Sequence, residues 1–291
     1  MDGILIINKP KGRTSHDIVA KVKKIVGNKV GHTGTLDPNA TGVLPLLIGK
    51  GTLCSQYLME HDKIYEVVLK LGFKTETADS EGNVIEEKEV DLENLAEENV
   101  IKVLKSFLGK QEQIPPIYSA IKVNGKKLYE YARSGQTVEL KPRKIEIYEC
   151  GLKEINLKEK EISFTVHCSK GTYIRSLCED IAEKLETVGY MKELNRIKVG
   201  RLEISEAITV EELEENISNK EFLIKHLITV ERIFREAQDI TVKENRLKHL
   251  LNGVKLSFDL EDGLYKIYDE KREFIGIGTI KNKFLKREII I

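Results

Sequence analysis

The spacing of apolar residues along the chain predicts both strands and helices. Apolar and polar positions alternate over residues 63–73, which is typical of a half-buried strand. Tyr65, Val67 and Leu69 share one face of this strand, so spacing alone favours a core position for Tyr65. The strands that such patterns predict cover residues 3–8, 43–48, 63–73, 143–150 and 161–168.

Helical spacing of apolar residues predicts a first helix that Ser15 caps and Gly27 ends. A second helix follows an acidic stretch, and Gly109 is predicted to end it. A third helix carries its apolar stripe over residues 174–185, with Thr172 as the predicted cap. Helices and strands therefore mix along the chain.

The pattern changes after residue 226, where glycines begin to separate short strands. We therefore predict two domains, 1–230 and 231–291, of which the second is small and β-rich. The pair Asn124-Gly125 predicts a tight turn within the first domain. The predicted fold class is α+β: a mixed, mostly antiparallel sheet flanked by helices, with a small C-terminal β-rich domain.

Length and composition limit the kind of protein. The chain has 291 residues, is 41% hydrophobic, and its 47 Lys and Arg balance 47 Asp and Glu. No apolar run approaches the ~20 residues that a membrane span needs, and the start lacks the basic segment of a signal peptide. The four cysteines lack a Cys-x-x-Cys pair, which favours core positions over a zinc site or a disulfide framework. We expect a cytoplasmic protein with no membrane partner and no metal.

The zero net charge hides segregation along the chain. Residues 1–75 hold 11 basic and 6 acidic side chains, residues 101–150 hold 10 and 5, and residues 76–100 hold 1 and 10. Gathered on one face, the two basic stretches would attract a polyanion. Scattered over a solvated surface, the same residues would have no such role.

The Gly/Thr-rich segment 31–42 is the first candidate for chemistry. It connects two apolar strands and carries one carboxylate, Asp37, with His32 near its start. Loops held by a rigid sheet often carry catalytic groups, although Asp-Pro-Asn is also ordinary turn chemistry and a lone histidine is often structural. Farther on, Lys50 is followed by Gly51 rather than Ser or Thr, which excludes a phosphate-binding loop.

Two further residues stay open between a chemical and a structural role. Arg175 lies near the start of a predicted helix, where free N–H groups and the helix dipole favour an anion, but it is equally compatible with a surface arginine. Tyr65 is a core residue by spacing, yet beside a basic cleft it would stack on an unpaired base. Spacing alone does not decide between these alternatives.

Several segments together resemble the TruB family of bacterial tRNA pseudouridine synthases, which modify uridine 55 in the T-loop. They occur in the family's order and spacing over most of the chain, and the tail resembles the small RNA-binding domain called PUA. The resemblance implies the pseudouridine synthase fold followed by a PUA-like domain. The segments that carry it are Asn8–Ser15, Gly31–Leu46, Lys63–Tyr65, Gly72–Gly82, Pro115–Ala120 and Gly171–Leu177.

The resemblance also implies three catalytic residues. Asp37 matches the aspartate that acts as the family's nucleophile. Arg175 matches the arginine that pairs with this nucleophile. Tyr65 matches the tyrosine that stacks on the flipped base and is implicated in proton removal.

Further residues are implied in substrate binding. His32 matches the histidine that helps to evict the target nucleotide from the folded loop, Tyr173 matches the tyrosine of the family's Gly-Thr-Tyr-x-Arg motif, and Leu194 matches a leucine that lines the base pocket. The sequence departs from the family where Asn195 replaces the first of two consecutive arginines, and where 200–202 replace a Gly-x-Phe. These departures weaken the transfer of roles around 195–202 and leave the nucleophile loop untouched.

The implied reaction needs no cofactor and no metal. The C1′–N1 bond of uridine breaks, the freed uracil turns, and C5 joins C1′; a carboxylate can stabilise or trap the electron-deficient sugar, as in glycoside hydrolysis. The residues leave open which carbon Asp37 attacks, and whether Tyr65 or a water removes the proton. Because the target lies in a folded loop, its base must flip out. The expected partner is the T-arm stem-loop of tRNA, bound by a monomer.

Two other functions are compatible with the same fold. One is a non-catalytic RNA-binding or tRNA-folding module, against which the intact set Asp37, Tyr65 and Arg175 argues. The other is a synthase for a different RNA uridine. A nucleoside hydrolase is disfavoured, because no cluster of aspartates suggests a metal-bound sugar site.

Overall fold

The computed structural model describes residues 1–59, 61–119, 121–136 and 138–291. Ala120, which ends the segment Pro115–Ala120, lies outside the described residues. The helices are α1 (Ser15–Val26), α2 (Ser55–Met59), α3 (Glu97–Lys105), α4 (Leu128–Arg133), α5 (Ile174–Lys184), α6 (Val210–Asn216), α7 (Lys220–His226), α8 (Val230–Ile233) and α9 (Glu244–Leu251).

The strands form one large sheet, one small sheet and two hairpins. They are β1 (Gly3–Lys9), β2 (Val30–His32), β3 (Thr41–Ile48), β4 (Lys63–Leu71), β5 (Phe73–Thr75), β6 (Val84–Glu87), β7 (Gly109–Gln113), β8 (Lys122–Val123), β9 (Lys126–Lys127), β10 (Arg143–Asn156), β11 (Glu161–Cys168), β12 (Gly189–Val199), β13 (Leu202–Glu203), β14 (Gln238–Thr241), β15 (Leu256–Ser257), β16 (Gly263–Tyr268), β17 (Phe274–Lys281) and β18 (Phe284–Ile290). The large sheet has the order β1-β3-β12-β4-β11-β10-β7, with β2 beside β3 and β13 beside β12. Its pairs are antiparallel except β3 with β12. The predicted α+β class with a mostly antiparallel sheet is confirmed.

Strand β4 lies in the middle of the large sheet, between β11 and β12. Its predicted alternation is confirmed, because Tyr65, Val67 and Leu69 are buried in the core while Glu66 on the other face is half-buried. The register sets Tyr65 opposite Arg196 of β12. A side chain on this buried face is therefore held by both neighbouring strands.

Helix α1 is tied to the loop that follows β2. Its cap is Thr14 rather than the predicted Ser15: the Thr14 hydroxyl accepts from the Asp17 N–H, and the Asp17 carboxylate accepts from the Thr14 N–H. Ser15 is instead the first helical residue, and its buried hydroxyl donates to the Leu36 carbonyl (3.0 Å) and accepts from the Leu36 N–H (2.9 Å). The predicted end at Gly27 is confirmed by its left-handed conformation, with φ of 62°.

Two other predicted helix ends are wrong. Helix α5 begins after Tyr173, which makes no side-chain capping bond, and the Thr172 hydroxyl donates to the carbonyl of Ser169 instead (3.0 Å). Helix α3 ends at Lys105, and Gly109 begins β7 with a φ of 94°. Both errors concern helix termini: the Thr172 hydroxyl bonds to the preceding turn of chain, and local bonds to Val103, Leu104 and Lys105 end α3 before Gly109.

The small sheet has the order β14-β16-β17-β18-β15 and confirms the predicted β-rich C-terminal part. It packs against the large sheet through an apolar cluster that joins Ile4 and Leu47 to Ile277 and Ile289. The exact boundary at 230 stays a prediction. None of the described helices combines the length and the apolar character needed to cross a membrane.

Two glycine substitutions test how closely β3 and β12 pack at Gly42. Its φ is 102°, and a Cβ atom there would lie 2.2 Å from the carbonyl oxygen of Arg196. Gly109 has a similar φ of 94° but no atom within 4 Å of such a Cβ. We expect Gly109→Ala to cost about 1–2 kcal/mol of unfolding free energy, which is the conformational strain alone. Gly42→Ala should cost several kcal/mol, because the backbones must also separate. Urea unfolding followed by circular dichroism measures both, and equal losses would contradict the tight junction.

Candidate active site

A cavity of about 540 Å³ opens between the loop after β2, the middle of the large sheet and the start of α5. Asp37 is the one acidic side chain among the described residues that line it. Five of the six residues singled out from the sequence line this cavity together, and they are Asp37, Tyr65, Tyr173, Arg175 and Leu194.

The loop that carries Asp37 is fixed at several points of its backbone. The Ser15 hydroxyl holds both polar groups of Leu36, and the N–H of Gly12 donates to the Pro38 carbonyl (2.9 Å). A turn follows, in which the Ala40 N–H donates to the Asp37 carbonyl (3.1 Å). The loop is therefore rigid, and it presents the Asp37 carboxylate to the cavity with 39% of the side chain exposed.

Lys9 also holds the loop that carries Asp37. Its ammonium group is fully buried and donates to the carbonyls of Pro10 (2.9 Å), Arg13 (2.6 Å) and Pro38 (3.0 Å). Burial lowers the pKa of Lys9 to about 8, against the opposing attraction of Asp37. The sequence does not indicate this role, because no local pattern shows that the lysine at the end of β1 points into the interior.

The Arg175 guanidinium lies between two carboxylates. Its Nε is 3.3 Å from Oδ2 of Asp37, and its Nη1 is 3.4 Å from Oδ2 of Asp79. The same group donates to the carbonyls of Thr77 (3.2 Å) and Tyr118 (3.0 Å), and only 8% of the side chain is exposed. Arg175 is thus a buried residue paired with two carboxylates, and not a surface arginine.

Asp79 is a site residue that the sequence did not single out. Its side chain is 6% exposed and accepts from the Thr77 hydroxyl (2.5 Å) and from the Glu81 N–H (3.0 Å). In the sequence Asp79 is one of ten acidic residues between 76 and 100, and nothing marks it among them. The bridge between Asp79 and Met191 of β12 brings it close to the cavity.

The surroundings of Asp37 shift its protonation equilibrium. Burial raises the pKa of the Asp37 carboxyl, Arg175 opposes this, Asp79 adds to it, and Lys9 opposes it. The attraction of Arg175 and Lys9 therefore offsets part of the rise in pKa that burial and the Asp79 carboxylate cause. The result is an aspartate that ionises at a higher pH than usual and, once ionised, is fixed in orientation by Arg175.

Tyr65 and Arg196 form a second buried pair beside this carboxylate. The Arg196 guanidinium is 1% exposed and donates to the carbonyls of Val43 (2.8 Å) and Gly34 (2.8 Å), and it also contacts the Tyr65 hydroxyl. Burial raises the pKa of Tyr65, while Arg196 lowers it. Arg196 follows the family departure at Asn195, and its bond to the Gly34 carbonyl holds the loop that carries Asp37.

Tyr173 and Leu194 complete the wall of the cavity. Tyr173 precedes α5, and the Gln113 amide holds its backbone through two hydrogen bonds. Leu194 lies on β12 opposite Val67 of β4 and is nearly buried. The two side chains give an apolar border to a site whose floor is charged.

His32 does not line the cavity. It ends β2, pairs with Leu46 of β3, and contacts the ring of His16 edge-on with 6.2 Å between ring centres. Burial lowers the pKa of His32, so the ring is neutral at neutral pH. His32 thus lies near the start of the loop that carries Asp37, two residues before the first glycine that lines the cavity.

The arrangement suits attack by a carboxylate on a sugar carbon. An aspartate with a fixed orientation faces a cavity of nucleotide size, which the side chains of Tyr65, Lys63 and Lys170 also line. The described residues include no group of three or more His, Cys, Asp and Glu side chains that would hold a metal ion.

Comparison with known proteins gives a consistent result along the chain. Residues 21–174 match the family described as TruB family pseudouridylate synthase (N terminal domain). Residues 175–235 match the tRNA pseudouridylate synthase B C-terminal domain, and residues 239–285 match Pseudouridine synthase II TruB, C-terminal.

Two relatives carry the name tRNA pseudouridine synthase B. The protein from Clostridium kluyveri is 44% identical over 289 residues, which cover 97% of this chain and 96% of the relative. The protein from Caldanaerobacter subterraneus subsp. tengcongensis is 42% identical over 289 residues, which cover 98% of each chain.

Solved structures share the fold. A chain of a Cbf5-Nop10-Gar1 complex is 26% identical, with a TM-score of 0.70 over 99% of this chain and 84% of that chain. A chain of an H/ACA RNP bound to a substrate RNA containing 2′-deoxyuridine is 24% identical with the same TM-score and coverage, which shows the fold alone. With the family matches and the relatives above, these findings establish that the chain belongs to the TruB family of pseudouridylate synthases.

Proposed function

We propose that this protein isomerises uridine 55 in the T-loop of tRNA to pseudouridine, without a cofactor. The observation that carries the proposal is the Asp37 carboxylate, which Arg175 holds at the border of a cavity that Tyr65 also lines. A nucleotide flipped into this cavity would bring its sugar to the carboxylate and its base to the tyrosine ring. The likeness to proteins named tRNA pseudouridine synthase B over nearly the whole chain supports the same substrate.

The reaction is balanced without redox chemistry. The C1′–N1 bond breaks and its electron pair leaves with the uracil; the base then turns, C5 bonds to C1′, C5 loses its proton, and N1 gains one. Asp37 acts as the nucleophile toward the electron-deficient sugar and must be ionised to do so; the bond from its carboxylate oxygen to C1′ breaks again, and its electron pair returns to the carboxylate, when C5 bonds to C1′. A nucleotide that fills the cavity would exclude water from the sugar and keep it from being hydrolysed while the base turns.

Arg175 and Asp79 serve the nucleophile. Arg175 favours the ionised form of Asp37 against burial and fixes its direction through Nε. Asp79 holds the opposite side of the guanidinium, so that the arginine has one orientation. A point charge such as lysine would give the attraction without the planar geometry that serves two carboxylates at once.

The remaining cavity residues serve the base. Tyr65 stacks on the flipped uracil and takes part in proton removal, for which the Arg196 guanidinium favours the ionised phenol against burial. Tyr173 and Leu194 enclose the base from the sides. Their apolar surface compensates part of the stacking that the base loses on leaving the loop.

Several features support RNA binding around the cavity. His32 would occupy the place of the evicted nucleotide, and the lysines of the two basic stretches would bind phosphates. Lys126 and Lys127 of the short hairpin lie over the rings of Tyr131 and Tyr129, and Tyr129 lines the cavity. Contacts of these lysines with phosphates would give an affinity that depends on salt and carries little information about the RNA sequence.

The two parts of the chain would have different roles on the RNA. We propose that residues 1–230 are the catalytic domain and that residues 231–291 are a PUA-like domain that extends the footprint on the tRNA. One copy of the protein would serve one T-arm, so the acting species is a monomer in the cytoplasm, where tRNA is modified.

Tritium release tests the function and the nucleophile together. Unmodified tRNA with tritium at C5 of its uridines should lose about one tritium per molecule with the wild-type protein, mapped to the T-loop, and none with Asp37→Ala. Release from another site would support a synthase for a different uridine. Tight binding without release by the wild type would support the non-catalytic module, and release by both proteins would rule out Asp37 as the nucleophile.

The acid side of the pH profile tests the charge network. Activity falls as Asp37 gains a proton, and this occurs at a higher pH than for an ordinary aspartate, because its pKa is raised. Arg175→Gln removes a group that lowers this pKa, so the acid limb of kcat/KM should move to higher pH and the rate should fall about 100-fold. Asp79→Asn removes a group that raises it, so the limb should move to lower pH. Glu66→Gln, on the other face of β4, is the control, and shifts of the same sign in both site variants would contradict the network.

A comparison of two substrates tests the role of His32. His32→Ala should slow turnover of folded full-length tRNA more than turnover of a minimal, flexible stem-loop, because only the folded loop resists eviction of the nucleotide. His16→Ala removes the neighbouring ring and is the matched control. Single-turnover rates on both RNAs give the comparison, and equal losses on the two would exclude this role.

A further inference from the structure

The Gln113 side chain forms a clamp on the backbone of Tyr173. Its Oε1 accepts from the Tyr173 N–H (2.8 Å), and its Nε2 donates to the Tyr173 carbonyl (3.0 Å). Gln113 ends β7 and is 6% exposed. It is not among the described residues that line the cavity, so it does not touch a nucleotide there. The two hydrogen bonds use both ends of the amide, which fixes the separation between β7 and the start of α5.

The start of α5 has no local device that would do the same. Tyr173 makes no side-chain capping bond, and the Thr172 hydroxyl is turned to Ser169. A helix start without a cap is free to fray, because its first N–H groups lack intrahelical partners. Gln113 does not bind these N–H groups; it holds the backbone of Tyr173, the residue from which the helix begins, from a distant part of the sequence.

The clamp lies close to the catalytic pair. Arg175 is the second residue of α5 and has its guanidinium 3.3 Å from the Asp37 carboxylate. The segment after Gln113 makes two more bonds to this helix turn: the Ile114 carbonyl accepts from the Ser176 hydroxyl (3.0 Å), and the Tyr118 carbonyl accepts from Arg175. A shift of the helix start relative to β7 would therefore move the guanidinium relative to Asp37.

We propose that Gln113 is a positioning residue, which fixes the start of α5 so that Arg175 meets Asp37 in one geometry. The proposal rests on the proposed function only for its kinetic consequence. A small misplacement of a catalytic group can cost about 100-fold in rate, and loss of half of the clamp should cost about tenfold. KM should change by less than about twofold, because Gln113 does not contact the substrate.

Gln113→Glu separates positioning from folding. The glutamate has the same shape, and in its ionised form it accepts from the Tyr173 N–H but cannot donate to the Tyr173 carbonyl. Protonation restores a donor, and burial raises the pKa of such a group. The kcat of this variant, divided by that of the wild type at each pH, should rise from about 0.1 at pH 8 toward about 1 at pH 6.

Gln111→Glu is the matched control. It is the same change on the same strand, at a residue whose amide donates to the Phe107 carbonyl (2.6 Å) and lies away from Tyr173. Its ratio to the wild type should stay flat with pH. A flat ratio for Gln113→Glu as well, or an unchanged kcat, would overturn the proposal.

Amide hydrogen exchange tests the clamp without any assay of activity. In Gln113→Met the amides of residues 173–177 should exchange at least about tenfold faster than in the wild type, with no change in Gln111→Met. Unchanged exchange would overturn the proposal even in a fully active enzyme. A wild type that is inactive on tRNA would refute the proposed function instead, and the exchange result would still decide the role of Gln113.

Discussion

A guanidinium buried between two carboxylates determines how the cavity is built. Arg175 joins Asp37 to Asp79, and it also donates to two backbone carbonyls. Removing either carboxylate would leave buried positive charge without a full set of partners, which typically costs several kcal/mol. The loop after β2, the turn after β5 and the start of α5 must therefore be in place together. The same constraint gives Asp37 its fixed direction, because a carboxylate held on one side keeps its other side open to the cavity.

Two further buried cations hold the loop that carries Asp37. Lys9 and Arg196 donate chiefly to backbone carbonyls. Lys9 also attracts Asp37 and opposes the effect of burial on its pKa, whereas Arg196 contacts the Tyr65 hydroxyl. The positive charges of Arg175 and Lys9 thus favour the ionised form of Asp37 against burial, which is the form that the proposed nucleophile requires.

The sequence predicts the parts of the fold that depend on local spacing. The alternation of β4 is confirmed, as are the end of α1 at Gly27 and the tight turn at Asn124-Gly125, which joins β8 to β9 with φ of 52° and 82°. The predicted cap of α1 is one residue too far along the chain, because the Ser15 hydroxyl bonds to Leu36, 21 residues away, and does not cap the helix. Spacing carries no information about such partners.

The charged network is harder to predict for the same reason. A lysine, an arginine or an aspartate is expected at the surface, and only contacts between distant segments turn Lys9, Arg196 and Asp79 inward. Arg196 did leave a signal, since it alternates with Leu194 and so shares the buried face of β12. The motifs drew attention to Asp37, Tyr65 and Arg175 by resemblance, whereas their mutual geometry became visible only in the fold.

The most direct test of the account is a structure of the protein bound to a T-arm RNA that carries 5-fluorouridine at position 55, because the C5–F bond prevents loss of a proton from C5. The account predicts the target base flipped into the cavity against Tyr65, with an Asp37 oxygen bonded to or in contact with the sugar and Arg175 still paired to that carboxylate. A target base that stays stacked in the loop, or an Asp37 turned away from the sugar, would contradict it.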